Sequence, residues 1–457
     1  MSAIIIGGGI TGLAAAYELS VRGVPFVLLE ASDRVGGLIR TEHVDGCTIE
    51  CGADSLLVQK PAALAFCDEL GLASRLMATT PPRTAYVHAR GRLFPIASPS
   101  VLGIPVTPDA VHRYELLPDA ARGALAELLE STTVRAAYED ESVADFFRRR
   151  FGPDTVSLIA EPLLGGIHAG DVEELSIRSV APRLAAAEAR GGSLGSVLRA
   201  ASATPSSDGL FRSLPDGMTE IVDAVRARLP EGSLHLHSAP TAIARDASRW
   251  TVALDAETIG ADSIVLALPA YAAARLLRAS APDVAALCAP TPYVSTASIA
   301  LQFPRAAVAH PLAGSGFVVA RRHSDLRITA CSWVTSKWTG RAPAGTVLLR
   351  AFLGGAADPG AVALRDDELI AIGLRDLTTV LAISGPPRLA RVHRWIDAGA
   401  QHNVGHLARM ERLAAALAGA PGLFVAGSGF RAIGVPDCIA DGRAAGSAAA
   451  DYVKMRT

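Results

Sequence analysis

"AIIIGGGITGLAAAYELSVRGVPFVLLEAS", residues 3–32, decides how the chain begins to fold. An apolar run, Ala3–Ile6, meets Gly7, Gly9 and Gly12 in G-x-G-x-x-G spacing, a helical pattern follows, and a second apolar run ends at Glu30. This order predicts a β-α-β unit. The glycines permit a tight turn and close backbone approach, the helix N-terminus faces a pyrophosphate, and an acid 18 positions after Gly12 is placed to accept both ribose hydroxyls. A glycine cluster alone says little. Strand, helix, strand and acid in the right order predict dinucleotide binding, and Glu30 disfavours a 2′-phosphorylated cofactor.

Composition bounds what surrounds this unit. The 457 residues exceed what one compact core usually supports, so two or three lobes are expected. Half of the residues are apolar, 19% are charged and the formal net charge is -2, which gives no electrostatic case for nucleic acid. Mean hydropathy is +0.31, yet no apolar run reaches 18 residues. At most peripheral membrane contact is expected. The chain enters its first strand at about the third residue without a basic or amphipathic leader, so no targeting segment and a cytoplasmic location are expected. Six cysteines, Cys47, Cys51, Cys67, Cys288, Cys331 and Cys438, include no C-x-x-C pair and are expected to be reduced and mostly buried.

The next residues separate FAD from NAD. "DRVGGLIRTEHVDGCTIECGADSL" (33–56) presents Arg34, Gly36, Gly37, Arg40 and Thr41, a turn at Asp45-Gly46, then Glu50, Gly52 and Asp54, where an NAD domain would run into a helix. This segment resembles the GG motif of the FAD-dependent amine oxidase, desaturase and porphyrinogen oxidase superfamily, in which it lies along the FAD. The bland alternative is a surface hairpin with an incidental Gly-Gly pair. The expected cofactor is FAD, bound non-covalently.

Further along, residues 78–108 are short strand-like pieces cut by prolines, and 118–203 turn helical in pattern. "ATPSSDGL" (203–210) is a linker by composition, residues 214–229 read as a helix, and the segment after 234 reads as strands returning to the nucleotide lobe. A mixed α/β pattern covers 285–392, and "PGLFVAGSGF" (421–430) supplies one more buried strand. The expected fold class is α/β. A discontinuous Rossmann-like FAD-binding domain (1–85, 204–284 and 393–457) interleaves with a mixed α/β substrate-binding domain (86–117 and 285–392) and a helical domain (118–203).

"EPLLGGIHAGDVEELSIRSVAPRL" (161–184), "LPDGMTEIVDAVRARL" (214–229), "VHRWIDAGAQHNVGH" (392–406) and "GVPDCIADGRAAG" (434–446) occur in that order. With them the chain resembles the oxygen-dependent protoporphyrinogen and coproporphyrinogen oxidases of haem biosynthesis over nearly its whole length. The resemblance implies a substrate slot beneath the flavin and six-electron oxidation of coproporphyrinogen III or protoporphyrinogen IX to the porphyrin, with three oxygen molecules becoming hydrogen peroxide. The choice between the two porphyrinogens stays open. A downstream ferrochelatase is a possible partner.

The same resemblance implies the contacts. Gly7, Gly8, Gly9, Ile10, Thr11 and Gly12 meet the pyrophosphate, Glu30 and Ala31 the ribose, and Arg34, Gly37 and Leu38 the phosphate region. Gly52, Ala53, Asp54 and Ser55 run along the flavin side, Pro240 meets the adenine, and Trp395, Gly427, Ile433, Gly434 and Val435 meet the isoalloxazine end. Lys60, His168 and Arg178 are candidates for the substrate, with Arg83 as an alternative cation; each has a bland reading as a surface or packing residue. Two positions depart from the family's usual strings, which have tyrosines where this chain has His168 in "GIHAGD" and a histidine in "GAQHNVGH".

No catalytic residue is assigned, because flavin supplies the redox chemistry and the protein positions and tunes it. H-E-x-x-H and H-x-x-E-H are absent, so no metal is expected, and "PLAGSGFVVA" reads as a Gly-Ser turn before a strand. Two rival readings share the first 55 residues: a flavin amine oxidase or carotenoid desaturase, and a non-catalytic FAD- or porphyrin-binding protein. Aromatics at only 5% weigh against the paired aromatic walls of the amine oxidases. A flavin link through Cys438 is not expected. At the end of the chain, Pro436 and Asp437 mark the first turn of a helix that brings backbone N–H groups to the redox end of the cofactor.

Overall fold

The fold is that of a computed structural model, which describes residues 2–132, 140–202, 208–246 and 249–456. Its centre is a five-stranded parallel sheet in the order 234–235, 26–29, 3–6, 263–266, 423–425. Ala3–Ile6 and Ser263–Leu266 are buried along their whole length, because layers cover both faces of a parallel sheet. Ile5 and Val265 pack on one side with the helix Ile10–Val21 and the terminal helix Val435–Met455. Ile4, Ile6, Ile264 and Leu266 pack on the other, against the antiparallel strands 242–261 and the helices Ala270–Leu277 and His406–Ala418.

A seven-stranded sheet runs in the order 389–400, 293–304, 346–354, 330–333, 316–319, 85–89, 92–95. One face carries Val347, Leu349 and Ala351 into a core with the helix Asp366–Leu381. The opposite face carries Ala300 and Leu348 against Cys47 and Ile49 of the hairpin Thr41–Val44/Cys47–Glu50. That hairpin turns through Asp45 and Gly46, both at positive φ, as the Asp-Gly pair predicts.

Between Asp119 and Ser202 the described residues form helices and no strand, around a core that includes Phe146, Phe147 and Phe151. A π-helical stretch, Val156–Gly165, accommodates Pro162 without an interior α-helical ladder to break. The expected linker at 203–210 lies outside the described residues as far as 207. The boundary expected at 392/393 falls inside one continuous strand, Leu389–Ala400, which pairs from Tyr293↔Ala400 to Gln302↔Leu389. The boundary at 85/86 likewise falls at the first residue of Ala85–Ala89, a strand of the same sheet. All six cysteines are buried and unpaired. No described helix is long and apolar enough to cross a membrane.

Candidate active site

The opening loop is shaped as a cradle. A Cβ at Gly7 would lie 2.4 Å from the Ala267 carbonyl oxygen, and one at Gly12 only 1.8 Å from that of Gly7, so both positions are closed to side chains. Gly9, between them, faces open space. Packed, open and packed glycines leave room in front of the uncapped N-terminus of Ile10–Val21, a geometry that fits a pyrophosphate. Glu30 closes the next strand, where its Oε2 accepts from the Gly8 N–H at 2.7 Å and its Oε1 from the Ser32 N–H at 2.9 Å. Ala31 is exposed beside it. Ser238 N–H donates to the Glu30 carbonyl, which lays the segment ending at the half-buried Pro240 along this edge.

The Gly36-Gly37 turn folds over the first loop, with Gly36 bridged to Gly9 and both glycines at positive φ. Arg34 holds it from within by donating to the carbonyls of Val35, Gly37 and Ile39. Its guanidinium therefore shapes this turn, while Leu38 stands 44% exposed. A Cβ at Gly52 would lie 1.8 Å from the Leu38 carbonyl oxygen and 3.4 Å from the Trp395 ring, so this glycine lets two segments close on one another. Trp395 Nε1 donates to the Cys51 carbonyl at 2.7 Å.

Charges accumulate under this turn. Asp54 accepts from Lys337 Nζ at 2.7 Å and from the Ser55 hydroxyl at 2.6 Å. Burial alone would raise the Asp54 carboxyl, but Lys337 and Arg350 outweigh it and hold the group well below the usual range. Arg350 Nη2 reaches the Cys51 and Gly52 carbonyls at 3.1 and 2.7 Å. Lys337 and Arg350 escaped the sequence reading. A lone arginine in "TVLLRAFLGG" was the available signal, since charges are seldom buried without partners.

The second glycine segment arrives from the other side. Gly427 has φ +113°, and its N–H donates to Asp441 Oδ2 at 2.8 Å. Gly434 caps the terminal helix, in which Val435, Pro436 and Asp437 form the first turn. Asp437 Oδ2 accepts from the Ile433 N–H at 3.1 Å and from Lys60 Nζ at 2.5 Å; Lys60 Nζ also reaches the Ile433 carbonyl at 3.1 Å. Lys60 thus joins this turn and stays 36% exposed. Burial pushes the Cys438 thiol up to about 11, which leaves it a poor nucleophile for a flavin link.

His168 sits near Lys60 and His402. Burial first, then His402 and Lys60, push its imidazole down to about 4. His402 and His406 stack with ring centroids 3.9 Å apart, and their Nε2 atoms lie 2.8 Å from the Ser428 carbonyl and 2.5 Å from that of Phe430. The histidine in "GAQHNVGH" therefore pins the second glycine segment. Arg178 is exposed on the short helix Ile177–Val180. Arg183 donates to the Gln59 side chain at 2.7 Å and to the Gln59 carbonyl at 3.2 Å. Arg83 instead binds Thr79. A G-x-S-x-G string at 191–195 also went unread; Ser193 Oγ caps the following turn by accepting from Ser196 N–H.

The pattern of the flavin containing amine oxidoreductases matches residues 10–450. The chain belongs to that family. Within this flavin-containing family it is 36% identical to the coproporphyrinogen III oxidase of Bacillus subtilis (strain 168), with 98% of each chain covered. It is 30% identical to the protoporphyrinogen oxidase of Bos taurus, over 97% of each. A crystal structure from Exiguobacterium sp. 255-15, assigned as a protoporphyrinogen oxidase, superimposes with a TM-score of 0.88 at 30% identity, covering 100% of this chain and 99% of that one. Reduced UDP-galactopyranose mutase shares the fold alone, with a TM-score of 0.74 at 18% identity over 100% of this chain and 96% of that one. FAD is the cofactor, and the glycine cradle, Glu30 and the uncapped helix N-terminus fit it.

Proposed function

We propose that this flavoprotein is an oxygen-dependent porphyrinogen oxidase of haem biosynthesis, and that coproporphyrinogen III is its preferred substrate. The observation that carries the reading is 36% identity, end to end, with an enzyme of that name. Bound FAD supplies two-electron acceptor chemistry, used three times for each porphyrinogen, with oxygen taking the electrons to give three hydrogen peroxide molecules. The residues assigned to its two ends are Gly7 to Gly12, Glu30, Ala31, Arg34, Gly37, Leu38 and Pro240, then Gly52 to Ser55, Trp395, Gly427 and Ile433 to Val435.

The chain's own groups bind and orient the macrocycle. Lys60, half-exposed at the 433–437 turn, and Arg183, which binds the neighbouring Gln59, offer cations to propionates. His168, kept neutral above about pH 4, offers a hydrogen-bond acceptor to a pyrrole N–H. Lys337 and Arg350 add positive charge beneath the flavin-side turn, which favours the reduced, anionic cofactor. Arg178, exposed on its short helix, serves as an outer propionate contact.

Four propionates on coproporphyrinogen against two on protoporphyrinogen make the preference testable. Parallel turnover measurements with both should show higher kcat/KM for coproporphyrinogen III; a higher value for protoporphyrinogen IX would reverse the assignment. The same reading places the protein in the cytoplasm, at most peripherally on a membrane, handing its porphyrin to a ferrochelatase.

A further inference from the structure

The hairpin Thr41–Val44/Cys47–Glu50 and the edge strand Leu389–Ala400 meet along one seam, and strand alternation decides which side chains face each other there. On the edge strand, Leu389 packs with Cys47 and Ile49, and Trp395 donates to the Cys51 carbonyl. His393, between them on the same face, turns to the hairpin as well. On the hairpin side, the Cys51 N–H pairs with the Arg40 carbonyl, which sets Glu42 and Cys51 on one face. Three donors converge as a result: one ligand atom from each of Glu42, Cys51 and His393 lies within 4.8 Å of the other two.

Each donor has capacity to spare. Glu42 Oε1 accepts from Arg40 at 2.7 Å, while Oε2 stands 3.0 Å from His393 Nε2. His393 Nδ1 is buried without a hydrogen-bond partner, in a side chain only 10% exposed. Cys51 Sγ, fully buried, has the Ile49 carbonyl at 3.9 Å. An ion pair between Glu42 and His393 leaves the thiol out, whereas a metal ion engages thiolate, imidazole and carboxylate together. Such donors around one zinc ion stand roughly 3.3–3.8 Å apart, so side-chain movements of about 1 Å close the group on an ion. The sulfur and the imidazole select zinc over calcium or magnesium. A dication against one thiolate and one carboxylate is neutral, which suits a seam where Arg40 and Arg391 approach Glu42, and Arg40 and Arg350 approach Cys51.

We propose that Glu42, Cys51 and His393 form a binding site for a divalent cation of the zinc class, with a water as fourth ligand on the partly exposed side of Glu42. Burial first, and the Glu42 carboxylate next, push the Cys51 thiol up to about 12, so binding forms the metal–sulfur bond and releases the thiol proton to solvent. Because Trp395 and Arg350 hold the Cys51 carbonyl, the ion fastens the flavin-side turn to the edge strand. No metal motif announced the site, because its donors come from distant parts of the chain.

The test uses FAD-bound enzyme without an affinity tag, treated with chelator and dialysed against zinc, beside crystals soaked in zinc. Expected are one zinc per chain that Cys51→Ser does not retain, and a zinc anomalous peak between Glu42, Cys51 and His393. Glu42→Gln keeps the size of a partly exposed side chain and should weaken zinc binding about tenfold or more. Equal zinc binding by the unaltered enzyme and both variants overturns the proposal. So does a zinc-soaked crystal with no peak among the three residues. If Cys51→Ser does not fold, Glu42→Gln and the zinc map of the unaltered enzyme decide.

Discussion

Glu30 and Lys60 carry opposite charges to opposite ends of the site, and their substitutions should fail differently. Glu30→Ala removes both the ribose acceptor and the acceptor for Gly8 N–H, so purified protein should retain several-fold less FAD, read as the flavin-to-protein absorbance ratio. Lys60→Ala should keep its flavin and raise KM for coproporphyrinogen severalfold, with a smaller effect on kcat. An unchanged KM would leave Lys60 only its bond to Asp437. At this scale the sequence spoke for residues whose partners are near in the chain. Gly7, Gly12 and Glu30 constrain one another across two turns. Arg350 was silent because its partners, the Cys51 and Gly52 carbonyls, lie about 300 positions away and are backbone atoms, which leave no pattern. Arg183 was silent as well, because spacing within a helical pattern does not tell which arginine turns toward Gln59.

Between elements, the terminal helix seats itself through small residues. A Cβ at Gly442 would lie 2.2 Å from the Thr11 carbonyl oxygen, and one at Gly446 2.6 Å from that of Ala15. Gly446→Val should therefore push this helix off Ile10–Val21, cost about 1–3 kcal/mol or more in chemical denaturation, and loosen the flavin. Acid should act through histidines on two other elements. Burial first, and His402 next, push His168 and His406 down to about 4, while an unfolded chain takes up the same protons near pH 6.5. Between those values the unfolded state binds more protons, so stability should fall as pH drops from about 6.5 to about 4. Tm measured across that window should decline, and less steeply in His406→Gln. The β-α-β unit and the Asp-Gly hairpin were legible because each is local. Strand order in the second sheet was not: Ala85–Ala89 pairs in parallel with Gly316–Val319, and no local pattern announces a partner 230 residues on.

Across the whole molecule, the two glycine segments are proposed as separate stretches of one flavin site. The opening loop and the 427–434 turn share Thr11, whose side chain stands against Gly427 and whose carbonyl faces Gly442. The changing pattern along the chain made legible that the parallel sheet draws strands from 3–6, 26–29, 234–235, 263–266 and 423–425, far apart in sequence. Its seams were less so: Leu389–Ala400 is an edge strand of the second sheet and brings Trp395 to the Cys51 carbonyl, so one strand serves both lobes. The division into FAD-binding, substrate-binding and helical domains is offered with that strand as the shared wall of the site. The central claim is that this wall, the flavin and the Lys60 turn together oxidise a porphyrinogen. Anaerobic mixing of the FAD enzyme with coproporphyrinogen III tests it most directly. The account predicts bleaching of the flavin absorbance, its return on admitting air, and coproporphyrin fluorescence growing with each cycle. A flavin that stays oxidised in the presence of coproporphyrinogen III and protoporphyrinogen IX alike would contradict it.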